Sequence, residues 1–107
     1  MNILYLCGSG RSAGYTMRQW ADMNSPLIAY LDTKFGVVRL KSGDTVYFYT
    51  YDQPDMLRGM EFSMVFEDGE RITADHRYVE ETRLLVRAQL RRQAGPFEVK
   101  TPPAKFI

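Results

Sequence analysis

Ile3-Leu4-Tyr5-Leu6-Cys7-Gly8-Ser9-Gly10-Arg11-Ser12-Ala13-Gly14-Tyr15-Thr16 is the stretch whose reading decides the fold. Its first five residues are a continuous apolar run that ends in glycine. Such a run suits a short strand buried on both faces, as in a parallel sheet. Residues 8–14 read as a flexible turn of small residues. A helix is expected over 16–23, because Met17, Trp20 and Ala21 recur at i, i+3 and i+4, and Asn24-Ser25-Pro26 stops it. Strand, glycine-rich turn and helix in this order are a way to bind phosphate. Backbone N–H groups of the turn converge on the anion, and the helix N-terminus adds its positive dipole end.

Outward from there, residues 27–31 are apolar and of strand length. Residues 37–40, the turn Lys41-Ser42-Gly43-Asp44 and residues 45–51 predict a hairpin. In its second arm Val46 and Phe48 alternate with Tyr47, Tyr49 and Tyr51, so both faces are bulky and cover is expected on both sides. Residues 56–59 read as a short turn or half-helix. A second buried strand is expected over 62–66, ending in the acidic turn Glu67-Asp68-Gly69-Glu70. The longest predicted helix runs 75–93, capped by Thr73 or Asp75 and ended by Gly95-Pro96. A final strand is expected over 97–100. Buried strands alternating with helices make the chain α/β, with an antiparallel hairpin added.

The 107 residues are one domain's worth of chain, so a single domain over 1–107 is expected. Hydrophobic residues at 45% and charged residues at 25% are ordinary for a globular domain and exclude disorder. Fourteen basic residues against thirteen acidic leave a net charge of +1, which excludes a strongly basic nucleic-acid arm as the whole function. The charge is nonetheless uneven. Residues 52–81 hold nine acids against three arginines, whereas residues 82–107 hold six bases against Glu98 alone. One cysteine, Cys7, builds neither a disulfide framework nor a zinc site, and no metal site is expected. The start of the chain has no basic segment and an apolar run too short for a signal peptide or a membrane span, so a cytoplasmic protein with no membrane partner is expected.

The glycine-rich window can be set against the phosphate-loop pattern G-x-x-x-x-G-K-[ST]. In Ser9-Gly10-Arg11-Ser12-Ala13-Gly14-Tyr15-Thr16 the second glycine and the terminal threonine are present, while Ser9 replaces the first glycine and Tyr15 the lysine. A nucleotide hydrolase also needs a buried strand that ends in acids to hold Mg²⁺ and polarise water. Phe62-Ser63-Met64-Val65-Phe66-Glu67-Asp68 supplies a strand followed by two carboxylates.

Three stretches in this order resemble the N-terminal ATPase core of phage large terminase subunits, the DNA-packaging motors, and more distantly the first RecA-like domain of helicases. They are Gly10-Arg11-Ser12-Ala13-Gly14-Tyr15-Thr16, then residues 32–66 with Arg58-Gly59-Met60-Glu61-Phe62 as the most specific element, and Thr101-Pro102 in the place of a coupling motif. The resemblance implies a compact P-loop-NTPase-like α/β domain with a small, mainly parallel sheet, an antiparallel hairpin and flanking helices. It implies phosphate binding by Gly10, Arg11, Ser12, Ala13, Gly14, Tyr15 and Thr16, with Glu67 and Asp68 in the catalytic acid positions. The ligand implied is ATP, ADP or phosphate with Mg²⁺. Tyr15 in place of lysine and the reversed order of Glu67-Asp68 weaken hydrolysis more than they weaken the fold.

The expected function is therefore that of a phage-encoded, degenerate terminase-ATPase-like protein in the host cytoplasm. It acts through a protein partner in packaging or host DNA-processing machinery, with weak or no hydrolysis. Two alternatives stay open. One is an active small NTPase in which Arg11 or a partner's arginine replaces the lysine. The other is a weak nucleic-acid-binding module on the basic helix 83–92, using Arg83, Arg87 and Arg91, with Tyr47, Tyr49 and Tyr51 either stacking on bases or packing in the sheet. His76 reads as a surface residue near a helix start.

Overall fold

A computed structural model describes residues 1–91 and 105–106. The elements in chain order are β1 (Asn2–Cys7), α1 (Gly10–Met23), a 3-10 turn (Ser25–Leu27), β2 (Ile28–Asp32), β3 (Val37–Leu40) and β4 (Thr45–Thr50). A second 3-10 turn (Pro54–Leu57), β5 (Met64–Glu67), α2 (His76–Gln89) and the two-residue β6 (Lys105–Phe106) follow. Among the described residues six strands form one sheet in the order β2-β3-β4-β1-β5-β6. The chain is α/β, as its pattern predicted. The strand expected over 97–100, the stop at Gly95-Pro96, Thr101-Pro102 and Arg92 lie outside the described residues.

The apolar run that opens the chain sits at the centre of the sheet. β1 pairs parallel with β4 on one side, from Asn2 opposite Thr45 to Cys7 opposite Thr50, and parallel with β5 on the other, from Ile3 opposite Met64 to Leu6 opposite Glu67. Beyond this three-stranded parallel centre every pairing is antiparallel: β3 with β4, β2 with β3, and β6 with β5. The sheet is thus mixed, and the expectation of a mainly parallel one is corrected. The hairpin continues outward into β2, because residues 33–36 are too few for the helical crossover a parallel neighbour requires.

Each face of the centre carries one helix. Ile3, Tyr5, Cys7, Val46, Phe48 and Phe66 point to the side of α1 and bury Met17 and Trp20 with them. Tyr5 is sandwiched between Phe48 and Phe66, with ring centroids 5.1 and 4.7 Å away. Leu4, Leu6 and Val65 point the other way, onto Val79 and Val86 of α2 and Leu57 of the second 3-10 turn. Burial on both faces is what the uninterrupted apolar runs required.

Several boundaries move from their expected places. The first helix was expected from Thr16 but starts at Gly10, so the strand-to-helix turn is only Gly8-Ser9. Ser9 and Ser12 explain this: Ser9 Oγ accepts from the Ser12 N–H at 3.1 Å and Ser12 Oγ accepts from the Ser9 N–H at 3.0 Å. This reciprocal cap nucleates the helix through two glycines that each cost about 1 kcal/mol relative to alanine. The second helix ends at Gln89, not at 93. Leu90 turns extended and bridges Phe62, with the Arg91 N–H donating to the Phe62 carbonyl at 2.7 Å. Asp75 is its N-cap, whereas Thr73 is used elsewhere. Smaller shifts give Met64–Glu67 in place of 62–66, Ile28–Asp32 in place of 27–31, and Thr45–Thr50 in place of 45–51.

Candidate functional site

In open α/β sheets, ligands bind in a crevice outside the carboxyl ends of the parallel strands. Two such crevices flank the end of β1. The one towards β5 is filled by the chain itself. The Gly8 carbonyl accepts from the Thr73 N–H at 2.9 Å and the Thr73 hydroxyl at 3.2 Å. Asp68 Oδ1 accepts from the Gly8 N–H at 3.3 Å and the Glu70 N–H at 3.0 Å, and the Asp68 N–H donates to the Leu6 carbonyl. A Cβ added to Gly8 would lie 2.5 Å from the Arg71 carbonyl oxygen. The 68–73 segment thus packs directly on the end of β1.

The paired acids are split by the pleat. Glu67 leaves β5 on the α2 side, where Oε1 meets Arg83 Nε at 3.2 Å and the guanidinium lies 5.5 Å over the Tyr51 ring. Burial, then the Glu67 charge and hydrogen bond, push the Tyr51 phenol well above its ordinary range. Asp68 bonds the Gly8 and Glu70 amides, beside Cys7 on the opposite face. The two carboxylates expected to act together therefore face different layers, because consecutive residues of a strand alternate sides. Among the described residues no group of three or more His, Cys, Asp or Glu could hold a metal ion.

Gly10, Arg11, Ser12, Ala13, Gly14, Tyr15 and Thr16, expected to form a phosphate-binding loop with Thr16 at the helix start, lie instead in the first two turns of α1. The Ser12 and Ala13 amides are already bonded to Ser9 Oγ and the Ser9 carbonyl. Tyr15 is exposed and Thr16 buried. Arg83, Arg87 and Arg91 are on α2 and just past it. Arg83 is held by Glu67, and Arg91 donates to the carbonyls of Ala88 and Leu90. Of the three, Arg87 alone is exposed with no ion pair or hydrogen bond among the described residues. His76 is exposed, 3.1 Å from Glu80 one turn on.

The second crevice is open, and residue patterns did not single it out. It has a volume of about 480 Å³ and lies at the carboxyl end of β4. One wall is the small-residue face of α1, Gly10, Ala13 and Gly14, with Met17 below. The other is the 33–36 loop with Lys34 and Phe35, and Phe48, Tyr49, Thr50, Gln53 and Met56 complete the lining. A Cβ at Gly10 or Gly14 would meet nothing within 4 Å, so glycine here widens the crevice. The loop wall is fixed. Gly36 has φ +67° and its carbonyl accepts from the Phe48 N–H at 2.8 Å. Asp32 Oδ1 accepts from the Lys34 and Phe35 amides. Small residues at i, i+3 and i+4 of α1 were the signal that could have located this crevice, once the helix was known to begin at Gly10.

Burial raises the Cys7 thiol far above its ordinary range, and the Asp68 charge and hydrogen bond add to that. Native protein at pH 8 is therefore expected not to react with a thiol-specific disulfide reagent until it is unfolded. The sign for stability follows. The contribution is fully present below the unfolded-state value of about 8.5. It is lost as pH rises above that, because the unfolded chain releases a proton the native chain retains. Thermal melts at stepwise higher alkaline pH check it.

No protein-family model, curated protein or solved structure matches this chain. No helix among the described residues is long and apolar enough to cross a membrane.

Proposed function

We propose that this domain is a binding module, not a hydrolase, and that its site is the crevice between α1 and the 33–36 loop. The observation that supports it best is the crevice itself. About 480 Å³ lies within the range of small-molecule pockets, at the strand end where α/β sheets bind ligands. Its lining defines the ligand class. Phe35, Phe48, Met17 and Met56 take a flat apolar body, Lys34 takes an anionic group, and Thr33 and Gln53 supply polar contacts at the rim. A nucleotide has this chemistry, which keeps ADP or ATP as the ligand without the phosphate loop. Hydrolysis is disfavoured because Glu67 is tied to Arg83 and Asp68 to the Gly8 and Glu70 amides. The role in packaging or DNA-processing machinery is part of the proposal and rests on the sequence motifs alone.

The test is a thermal shift with ADP. At a dissociation constant near 1 mM, 10 mM ligand stabilises by about 1.4 kcal/mol. Gly14→Leu is the informative variant. It replaces glycine inside a helix and gains up to about 1 kcal/mol of intrinsic stability, yet its side chain fills the crevice. The expected result is an unchanged or higher melting temperature with the ADP shift abolished, and a reduced shift for Lys34→Ala. An equal ADP shift in Gly14→Leu refutes the assignment. Mg²⁺-dependent ATP turnover is expected below ~1 s⁻¹, the low end of ordinary enzymes, and unaffected by Glu67→Gln. Faster turnover abolished by that substitution restores the hydrolase reading.

A further inference from the structure

Among the described residues no helix lies over the β2, β3 and β4 part of one face of the sheet. On the α2 side, Tyr30, Arg39 and Thr45 form one cross-strand row of β2, β3 and β4, and Asp32, Val37 and Tyr47 form the next. Helix α2 covers β1 and β5 through Leu4, Leu6 and Val65, and meets the end of the hairpin at Tyr51, whose carbonyl accepts from the Thr82 hydroxyl at 2.9 Å. Tyr47 and Tyr49 lie side by side, ring centroids 5.5 Å apart, each leaning on the α2-side core while staying partly open to solvent. Tyr30 is 56% exposed at the edge. The cover expected on both faces of the second hairpin arm is therefore graded on this one: Tyr51 is buried, Tyr47 and Tyr49 are partly covered, and Tyr30 at the edge is exposed.

Charge selects the occupant. Among the described residues Arg39 and Lys41 have no ion pair or side-chain hydrogen bond, and Lys34 meets only the Phe35 ring. The acids nearby are engaged: Asp32 by two loop amides, and Asp44 by the N-terminal ammonium at 2.5 Å. An uncommitted Arg39 in the same row as Tyr30, with Lys41 two residues further along the chain, suits a chain of phosphates carrying flat bases. The Tyr47 and Tyr49 rings are tilted 50° to one another, so each keeps a face of its own, and bases stack on such rings whatever their sequence. A protein partner gains less here, because the apolar part of the face is only Val37, Tyr47 and Tyr49, partly buried already, and Arg39, Thr45 and Asp32 stand around it. We propose that this face of β2, β3 and β4 binds single-stranded nucleic acid by stacking on Tyr30, Tyr47 and Tyr49, with Arg39 and Lys41 on the phosphates. This moves nucleic-acid contact from α2, where Arg83 is committed to Glu67, to the sheet.

The experiment is fluorescence anisotropy of a labelled oligo-dT of about 12 nucleotides, within the usual site size for such surfaces, titrated with the full chain at low salt. Arg39→Glu and Tyr30→Ala are surface changes that leave the core and the crevice intact, so the ADP shift serves as the control for folding. Expected are a loss of about fivefold or more for Tyr30→Ala, a larger loss for Arg39→Glu, and near-normal binding for Tyr30→Phe. The slope of log affinity against log salt should be about −1.4 for two cations on a single strand. Duplex of the same length should bind more weakly. The proposal is overturned by no binding at low salt, by binding unaffected by both variants, or by loss of binding only in Arg87→Glu. A concentration-dependent dimer that both variants dissociate overturns it too, since a second copy would then be the occupant.

Discussion

Gly8→Val is expected to leave the chain largely unfolded at 37 °C, the largest single-residue effect in this protein. The added Cβ would lie 2.5 Å from the Arg71 carbonyl oxygen, 2.7 Å from that of Glu70 and 2.8 Å from the Arg71 carbonyl carbon. All three are backbone atoms, so no side-chain rotation relieves the contact. Relief requires moving the 68–73 segment away from β1, which breaks the bonds from Thr73 to the Gly8 carbonyl and from the Gly8 amide to Asp68. Overpacking of a fixed site costs about 1–3 kcal/mol, and each buried polar group left unpaired adds about 1–3 kcal/mol. A domain of this size has about 5–15 kcal/mol in all, so the loss is a large fraction of the total. Gly10→Ala is the control. Its Cβ meets nothing within 4 Å in a helical position, and a gain of about 0.4–1 kcal/mol is expected. Denaturant melts of the two variants, with Cys7 reactivity as a second readout, decide the matter. A stable Gly8→Val protein with an unreactive thiol would show that the 68–73 segment is not packed on β1.

Trp20→Ala is expected to cost about 3–5 kcal/mol, the range for removing a large buried aromatic. Trp20 is fully buried, edge-on to Phe48 at 6.3 Å, and is the main side chain holding α1 to the sheet. At about 4–8 °C per kcal/mol for a domain of this size, the melting temperature falls by roughly 15 °C or more. Trp20→Phe separates volume from polarity. The indole N–H finds no hydrogen-bond acceptor among the described residues, and a buried unpaired donor is itself unfavourable. Phenylalanine removes that donor along with part of the volume, so its cost is expected to be well under half that of alanine. A Phe variant as damaged as the Ala variant would mean that the indole N–H is paired in solution.

The sequence carried those elements whose pattern is local. The runs at the centre of β1 and β5 are apolar at every position, so they had to be buried on both faces and to lie in the middle of a sheet. The 37–50 hairpin was legible from its Lys41-Ser42-Gly43-Asp44 turn, and α2 from its capping candidate Asp75, which the structure uses. Where the reading went astray, a non-local or reciprocal interaction overrode a propensity. Glycines at 10 and 14 suggested a loop, but the Ser9–Ser12 cap together with burial of Thr16, Met17 and Trp20 outweighs their helix cost.

The site was less legible than the fold, because a site depends on which faces meet. Glu67 and Asp68 are adjacent in sequence and looked like a pair. The pleat sends one to Arg83 and the other to the amide of Gly8. Gly10, Ala13 and Gly14 looked like a phosphate loop, and they became the wall of a crevice only because β4 and the 33–36 loop stand opposite. The sequence by itself determined the α/β class and the central strands, since these follow from residue type and periodicity within single segments. Only the tertiary structure decided the mixed order of the sheet, the closing of one crevice by the 68–73 segment, the opening of the other and the partly covered tyrosine face. Each of these depends on which segments meet, from neighbours a few residues apart in the hairpin to Gly8 and Thr73 65 residues apart, and no local pattern records which partner a segment finds.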